Sequence, residues 1–184
     1  MEQGIIRGMY SRRTSSLEGD LRVRLLGGGT ILREVEAAAE ILERDYQVAA
    51  DVWSLTSVNE LARDGKSAQR WNMLHPQEPP REAYVTQQLA GGGGPVVAAT
   101  DYLKLYADQI REFVPGSYTV LGTDGFGRSD TRDKLRTFFE VSCEYVVLAA
   151  LKALADEGRV EPARVAEAIV TLGVDPDRAD PFTV

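Results

Sequence analysis

Residues 21–46, LRVRLLGGGTILREVEAAAEILERDY, decide the fold. Leu21, Val23 and Leu25 alternate with Arg22 and Arg24, the two-residue period of a strand with one face toward solvent. Gly27-Gly28-Gly29 then permit a tight turn, and the period changes. Ile31, Val35, Ala38 and Leu42 recur at i, i+4, i+7 and i+11, a single helical stripe. Glu34, Glu36, Glu40, Glu43 and Arg44 cover the other side, and Thr30 is placed to cap the helix. The apolar run Val48 to Leu55 follows as the second strand, so the segment reads as a strand–helix–strand unit.

The same alternation continues downstream. Ser57-Val58-Asn59-Glu60 is a capping box opening a helix over Leu61 and Ala62. Asp64-Gly65 is expected to stop it, with a second turn or short helix running toward Trp71. Pro76, Pro79 and Pro80 exclude regular structure over 72–82. A short helix is expected at Tyr84 to Leu89. The four glycines Gly91 to Gly94 lead flexibly into a buried strand, Pro95 to Ala99. Asp101 is expected to cap a helix with the stripe Leu103, Tyr106, Ala107, Ile110 and Val114, which Pro115-Gly116 ends. Tyr118 to Leu121 is another strand, and Gly122 to Asp130 a glycine-rich loop. Helices follow at Thr131–Phe139 and Ser142–Glu157, then a last one opened by Pro162 with the stripe Val165, Ala168, Ile169 and Leu172.

Upstream, Gly4 to Tyr10 is apolar enough for a short edge strand or arm, and Ser11 to Asp20 reads as loop. Residues 1–20 are therefore taken as a lead-in arm and 21–184 as one domain. Strands alternating with helices point to α/β architecture: a three-layer α/β/α sandwich around a mostly parallel sheet. The strand at 21–26 is the candidate for an antiparallel one, because it alternates while the others are continuous apolar runs.

Composition narrows the function. The 184 residues suffice for one domain with a full core. The net charge of −7 opposes a phosphate backbone, so a nucleic-acid partner is not expected. No apolar run approaches the roughly 20 residues that cross a bilayer, so no membrane role is expected. The start, Met1-Glu2-Gln3, has no basic and apolar leader pattern. One cysteine, Cys143, excludes an internal disulfide and suits a reducing compartment, and the expected location is cytoplasmic. With His75 the single histidine, a zinc site is not expected.

Four stretches could carry chemistry. Small residues and hydroxyls at strand ends can receive an anion at a helix start. Gly27, Gly28, Gly29 and Thr30 are the candidates for such a site. The third glycine of G-x-G-x-x-G is replaced by Leu32, which favours a tight turn over a phosphate site. In the loop 122–130, GTDGFGRSD, Asp124, Phe126 and Arg128 fit an interface better than catalysis; with Asp130, the charged residues bind a partner or pair with one another. In Trp71-Asn72-Met73-Leu74-His75-Pro76, the apolar residues would be costly to expose, and His75 reads as a structural hydrogen-bonding residue rather than a general base. Cys143, at a helix start, is either a thiol of lowered pKa or a packing residue, and packing is favoured. No complete acid–base or nucleophile constellation is present.

Taken together, EQGIIRGMY (2–10), the run 26–39, VWSLTSVNELARD (52–64), RWNMLHP (70–76), TDYLKL (100–105) and VLGTDGFGRSD (120–130) resemble the C-terminal part of the homodimeric bacterial pyruvate dehydrogenases. RWNMLHP and LGTDGFGRSD are the distinctive motifs, and the resemblance covers nearly the whole chain. It implies a transketolase C-terminal-like domain, with a mostly parallel sheet, one antiparallel strand and helices on both faces. It also implies further domains ahead of this segment, which hold thiamine diphosphate and magnesium. The paired-asparagine magnesium motif, catalytic histidines and cofactor-activating glutamate of that family have no counterpart here. No catalytic residue and no cofactor is therefore assigned to this stretch. The implied partners are the preceding domains of the same chain, a second subunit and, in the full complex, the dihydrolipoamide acetyltransferase core, which this family is expected to dock through its N-terminal region. The leading expectation is an assembly domain whose interface comprises Trp71, Asn72, Met73, Leu74, His75, Asp124, Phe126 and Arg128, with Trp71, Met73, Leu74 and Phe126 left at the surface. The alternative is a small-anion site at Gly27 to Thr30.

Overall fold

A computed structural model describes residues 2–184. Five strands form one sheet in the order β1-β3-β2-β4-β5: β1 (Met9–Arg13), β2 (Arg22–Gly28), β3 (Ala49–Leu55), β4 (Val96–Ala99) and β5 (Tyr118–Leu121). β2 pairs in parallel with both β3 and β4, and β4 with β5. Among the described residues β1 alone runs antiparallel, with Met9 opposite Leu55, on the outer side of β3. The antiparallel strand is therefore Met9–Arg13 and not the alternating segment at 21–26. That segment is central, and Val23 through Gly28 are all buried. Its alternation reflects a buried arginine, Arg24, and not a solvated face.

The helices are α1 (Glu2–Arg7), α2 (Leu32–Tyr46), α3 (Val58–Leu74), α4 (Tyr84–Leu89), α5 (Lys104–Asp108), α6 (Arg132–Phe138), α7 (Cys143–Asp156) and α8 (Pro162–Thr171). The sheet separates two apolar cores. On one face Val35, Ala38 and Leu42 of α2 meet Val147, Leu151 and Leu154 of α7 over Val23, Leu25, Val52 and Val97. On the other, Val58 and Leu61 of α3, Val85 and Leu89 of α4, and Ile110 and Phe113 cover Leu26, Val96 and Ala98. The two-residue period of the strands sends neighbouring side chains to opposite cores, which fixes the three-layer arrangement.

Several expected boundaries move. The Ser57 hydroxyl does cap α3, accepting from the Glu60 N–H at 3.3 Å. Asp64-Gly65 does not stop that helix, which runs on to Leu74 and takes in the first residues of 72–82. Gly65 is there for close approach: a Cβ would lie 2.5 Å from the Phe113 ring. Neither Thr30 nor Asp101 caps a helix with its side chain; Thr30 sits in a 3-10 turn that precedes α2. Residues 2–7 are helical, and the expected edge strand begins only at Met9.

At the amino ends of the strands the chain closes on itself. Arg24, 6% exposed, donates to the carbonyls of Leu89 at 2.6 Å, Gly94 at 2.5 Å and Pro115 at 3.1 Å. Burial lowers its pKa, opposed by the fields of Glu157 and Asp51. Ser117 donates to Glu157 and Arg159 to the Asp20 carbonyl on the same side.

Candidate functional site

The carboxyl ends of β2, β4 and β5 open onto a hollow of about 410 Å³. In an open α/β sheet this is where crevices form. Thr30 and Ile31 come from the turn after β2, Asp101 from the turn after β4, and Thr123, Gly125, Gly127 and Arg128 from the loop after β5. Arg132, Leu135 and Arg136 on α6, with Phe139 and Val141 beyond it, form the opposite wall. The Thr30 hydroxyl donates to Asp101 Oδ2 at 3.2 Å, and the Thr123 hydroxyl to the Asp101 carbonyl at 2.9 Å, so the three turns are tied together. Arg136 donates to Glu34 Oε1 at 2.7 Å with both side chains largely covered. The other Glu34 oxygen accepts the Cys143 N–H at 3.0 Å.

Of the anion-site candidates only Thr30 lines the hollow. Gly27 is packed: a Cβ there would lie 2.7 Å from Leu32 Cα. A Cβ on Gly28 would face Thr100, and one on Gly29, at φ +57°, would face Asp101. These glycines shape the turn.

The 122–130 loop splits by residue. Asp124 Oδ1 accepts the Lys104 N–H at 3.0 Å, making it the partner of the α5 start that Asp101 was expected to be. Arg128 stacks over Phe138 with 4.5 Å from its guanidinium carbon to the ring centre. Asp130 lies 3.7 Å from Lys134. The charged residues of the loop thus pair outside it, not with one another. Phe126 is 78% exposed. Around it the same edge carries exposed Tyr102, Leu103 and Leu105, and Ile5 and Ile6 of α1 are exposed where the Ile5 carbonyl accepts from Thr56 after β3.

The other distinctive stretch lies elsewhere. α3 starts at the carboxyl end of β3 and its 17 residues carry it back along the sheet for roughly 25 Å. RWNMLHP is therefore far from the 122–130 loop. Trp71 is not free at the surface as expected. It is half-buried, stacked on His75 with ring centres 4.4 Å apart and covered by Arg81 at 4.0 Å. Asn72 holds Arg81 by both backbone groups, donating to its carbonyl at 2.9 Å and accepting its N–H at 2.7 Å. His75 Nδ1 lies 2.9 Å from the Trp71 carbonyl, the structural role its sequence context indicates. Met73 and Leu74 are exposed. Burial and the negative fields of Glu144 and Glu34 push the Cys143 thiol up to about 12, so it is a packing residue and not an activated nucleophile.

With this geometry in place the chain can be set against known proteins. Residues 8–142 match the family described as Transketolase-like TK C-terminal domain. The chain belongs to that family. It is 58% identical over 182 residues to the pyruvate dehydrogenase E1 component of Pseudomonas aeruginosa, covering 98% of this chain and 21% of that one. It is 54% identical over 185 residues to the E1 component of Cupriavidus necator, and 52% over 182 residues to that of Escherichia coli K12. The chain spans about a fifth of the length of these curated relatives. Among solved structures, transketolases from Pichia stipitis and Campylobacter jejuni share the fold. Their TM-scores are 0.56 and 0.54, over 85% and 79% of this chain and 19% and 18% of theirs, each at 18% identity. The family thus agrees with the sheet: mostly parallel, one antiparallel strand, helices on both faces.

The hollow was hidden from sequence reasoning because five separate segments build it. Arg132 and Arg136 belong to no motif of the sequence. Their spacing of four, which puts them on one face of α6, was the available signal.

Proposed function

We propose that this chain is the C-terminal assembly domain of a thiamine-diphosphate-dependent pyruvate dehydrogenase decarboxylating component. The full enzyme would convert pyruvate to acetyl-lipoamide and carbon dioxide. Identity of 52–58% to E1 components over nearly the whole chain supports the assignment. Magnesium and a diphosphate need converging oxygen ligands. Among the described residues no three His, Cys, Asp or Glu side chains converge to hold a metal, and Asp101 and Asp124 are engaged by Thr30 and Lys104. These residues do not fit the cofactor, and the chemistry is assigned to other domains of the longer chain.

The observation that carries the assembly reading is the apolar rim at the carboxyl edge: Phe126 at 78%, Leu105 at 73%, Tyr102 at 61% and Leu103 at 54% exposed. So many large apolar side chains along one edge of a small domain mark a contact surface. Its occupant is the remainder of the enzyme chain, about four-fifths of the relatives' length, together with the second copy. Phe126 is the anchor, with Asp124 and Arg128 at its polar margin. Met73 and Leu74 form a second, separate contact, whose loop Trp71, Asn72 and His75 hold in place. Sedimentation of the full-length enzyme tests this. Leu105→Ser with Phe126→Ser is expected to raise the dimer dissociation constant at least ten-fold, with a smaller rise for Met73→Ser with Leu74→Ser. Unchanged dimer constants and unchanged thermal stability of the full chain in both variants would defeat the reading.

A further inference from the structure

We propose that the hollow at the carboxyl edge binds a small organic phosphate, its head held by Arg128 and Arg132 and its apolar body by Ile31, Leu135, Phe139 and Val141. This goes beyond the assembly reading; the two share Arg128, which stands between the apolar rim and the hollow. The first support is charge. The chain carries a net −7, yet three of the twelve residues lining this hollow are arginines and only one, Asp101, is an acid. Arg136 is already neutralised by Glu34 at 2.7 Å. Arg132 has no hydrogen-bond or ion-pair partner among the described residues. Arg128 lies with its guanidinium carbon 4.5 Å from the centre of the Phe138 ring and has no hydrogen-bond or ion-pair partner among the described residues. Asp101 is shared with the Thr30 hydroxyl at 3.2 Å, so its charge is partly spent locally.

The second support is shape and lining. About 410 Å³ lies in the lower range of small-molecule sites. Leu135, Phe139 and Val141 stand on the wall with Arg136 and Ile31 faces them from the turn after β2, while the two unneutralised arginines stand on the loop and first turn of α6. A head-and-body ligand satisfies both; a bare anion leaves the apolar wall wet, and a neutral apolar molecule leaves the arginines unused. Guanidinium forks take phosphate oxygens in pairs, which suits a phosphate monoester head. The glycines of the strand-end turn play no part in holding the ligand.

Calorimetric titration of the 184-residue chain with phenyl phosphate, inorganic phosphate and phenol separates head from body. Phenyl phosphate is expected to bind one-to-one, at least ten-fold tighter than either component. Arg128→Ala and Arg132→Ala are each expected to weaken it about ten-fold, and Arg132→Lys to weaken it less. Both arginines are exposed, so circular dichroism and melting temperature should stay unchanged and show that the fold is intact. The proposal is overturned if phenyl phosphate shows no saturable binding at millimolar concentration, or if its binding survives both alanine changes. Equal affinity for inorganic phosphate would overturn the organic class of ligand.

Discussion

The two ends of the sheet are built on opposite terms. At the amino ends, one buried arginine gathers three loop carbonyls, and Glu157 and Arg159 tie down the segments beside it. At the carboxyl ends, Phe126, Leu105, Tyr102 and Leu103 face outward and Arg132 has no partner among the described residues. The parallel strands impose this polarity, because every loop after a strand emerges on one edge and every loop before a strand on the other. Both edges carry internal polar bonds, but at the amino edge three of them are gathered on one buried side chain. The carboxyl edge carries in addition an exposed apolar rim, on the side where ligands and partners meet such folds.

The largest expected effect is at the closed edge. Arg24→Met removes three donors and leaves the carbonyls of Leu89, Gly94 and Pro115 without them. A buried acceptor left unmade costs roughly 1–3 kcal/mol, and water can reach part of this glycine loop, so the loss in urea unfolding should be about 3 kcal/mol. Relief of the arginine's own desolvation acts in the opposite direction and is the reason the three costs do not simply add. A change under 0.5 kcal/mol would mean that this edge is held by backbone pairing alone, and the contrast between the ends would lose its physical basis.

A smaller effect is expected at Gly65. Alanine there gains about 1 kcal/mol of helix propensity. Its Cβ, however, would sit 2.5 Å from the Phe113 ring, and overpacking costs roughly 1–3 kcal/mol. The clash wins, so Gly65→Ala should destabilise by about 1 kcal/mol, and Gly65→Ala combined with Phe113→Leu should lose less than the sum of the two single changes. Additive losses would show that the ring does not set the identity of residue 65.

Gly65 also shows why some of the fold was legible and some was not. A helical stripe such as Val35, Ala38 and Leu42 repeats one requirement several times, and a capping box states its own hydrogen bond, so α2 and the start of α3 could be read directly. A glycine that ends a helix and one that admits a neighbouring ring look alike in sequence. So do an arginine facing water and Arg24, whose partners lie 65 to 91 residues away. The antiparallel strand carries only Met9 as a fully buried residue, because β1 is an edge. The strand-end hollow draws on residues 30 to 141, so no local pattern could announce it.

Cys143 tests the packing at the start of α7, where its N–H is held by Glu34. Its thiol is pushed up to about 12 from an ordinary value of 9.0, by burial first and then by the fields of Glu144 and Glu34. The folded state therefore favours the protonated thiol. That stability is fully present below pH 9 and is lost as pH rises from 9 toward 12. Cys143→Ser should flatten part of the fall in melting temperature over that range. At pH 8 the native thiol should react with iodoacetamide at least a hundred-fold more slowly than in urea. Fast labelling of the native chain would show that the start of α7 does not shield the thiol, and burial would have to be abandoned as the leading cause of its shift.

The smallest expected effect is the most pointed. Phe126 is the most exposed aromatic at either edge, and in the chain by itself it adds little to any core. Phe126→Ser should then change the urea stability of the 184-residue chain by no more than about 0.5 kcal/mol, the range of surface substitutions free of special features. Gly125, at φ +104° and tight against the Pro181 carbonyl, holds the loop from its other side and keeps its shape when the ring is lost. In the full-length enzyme the same substitution should weaken dimerisation, because there the ring is expected to be covered. The two measurements depend on each other. A loss of 2 kcal/mol or more in the short chain would place Phe126 within the domain's own packing, and the carboxyl edge would lose its strongest claim to being a contact surface. A neutral result in the short chain with a weakened dimer in the long one is the pattern that only an interface side chain gives.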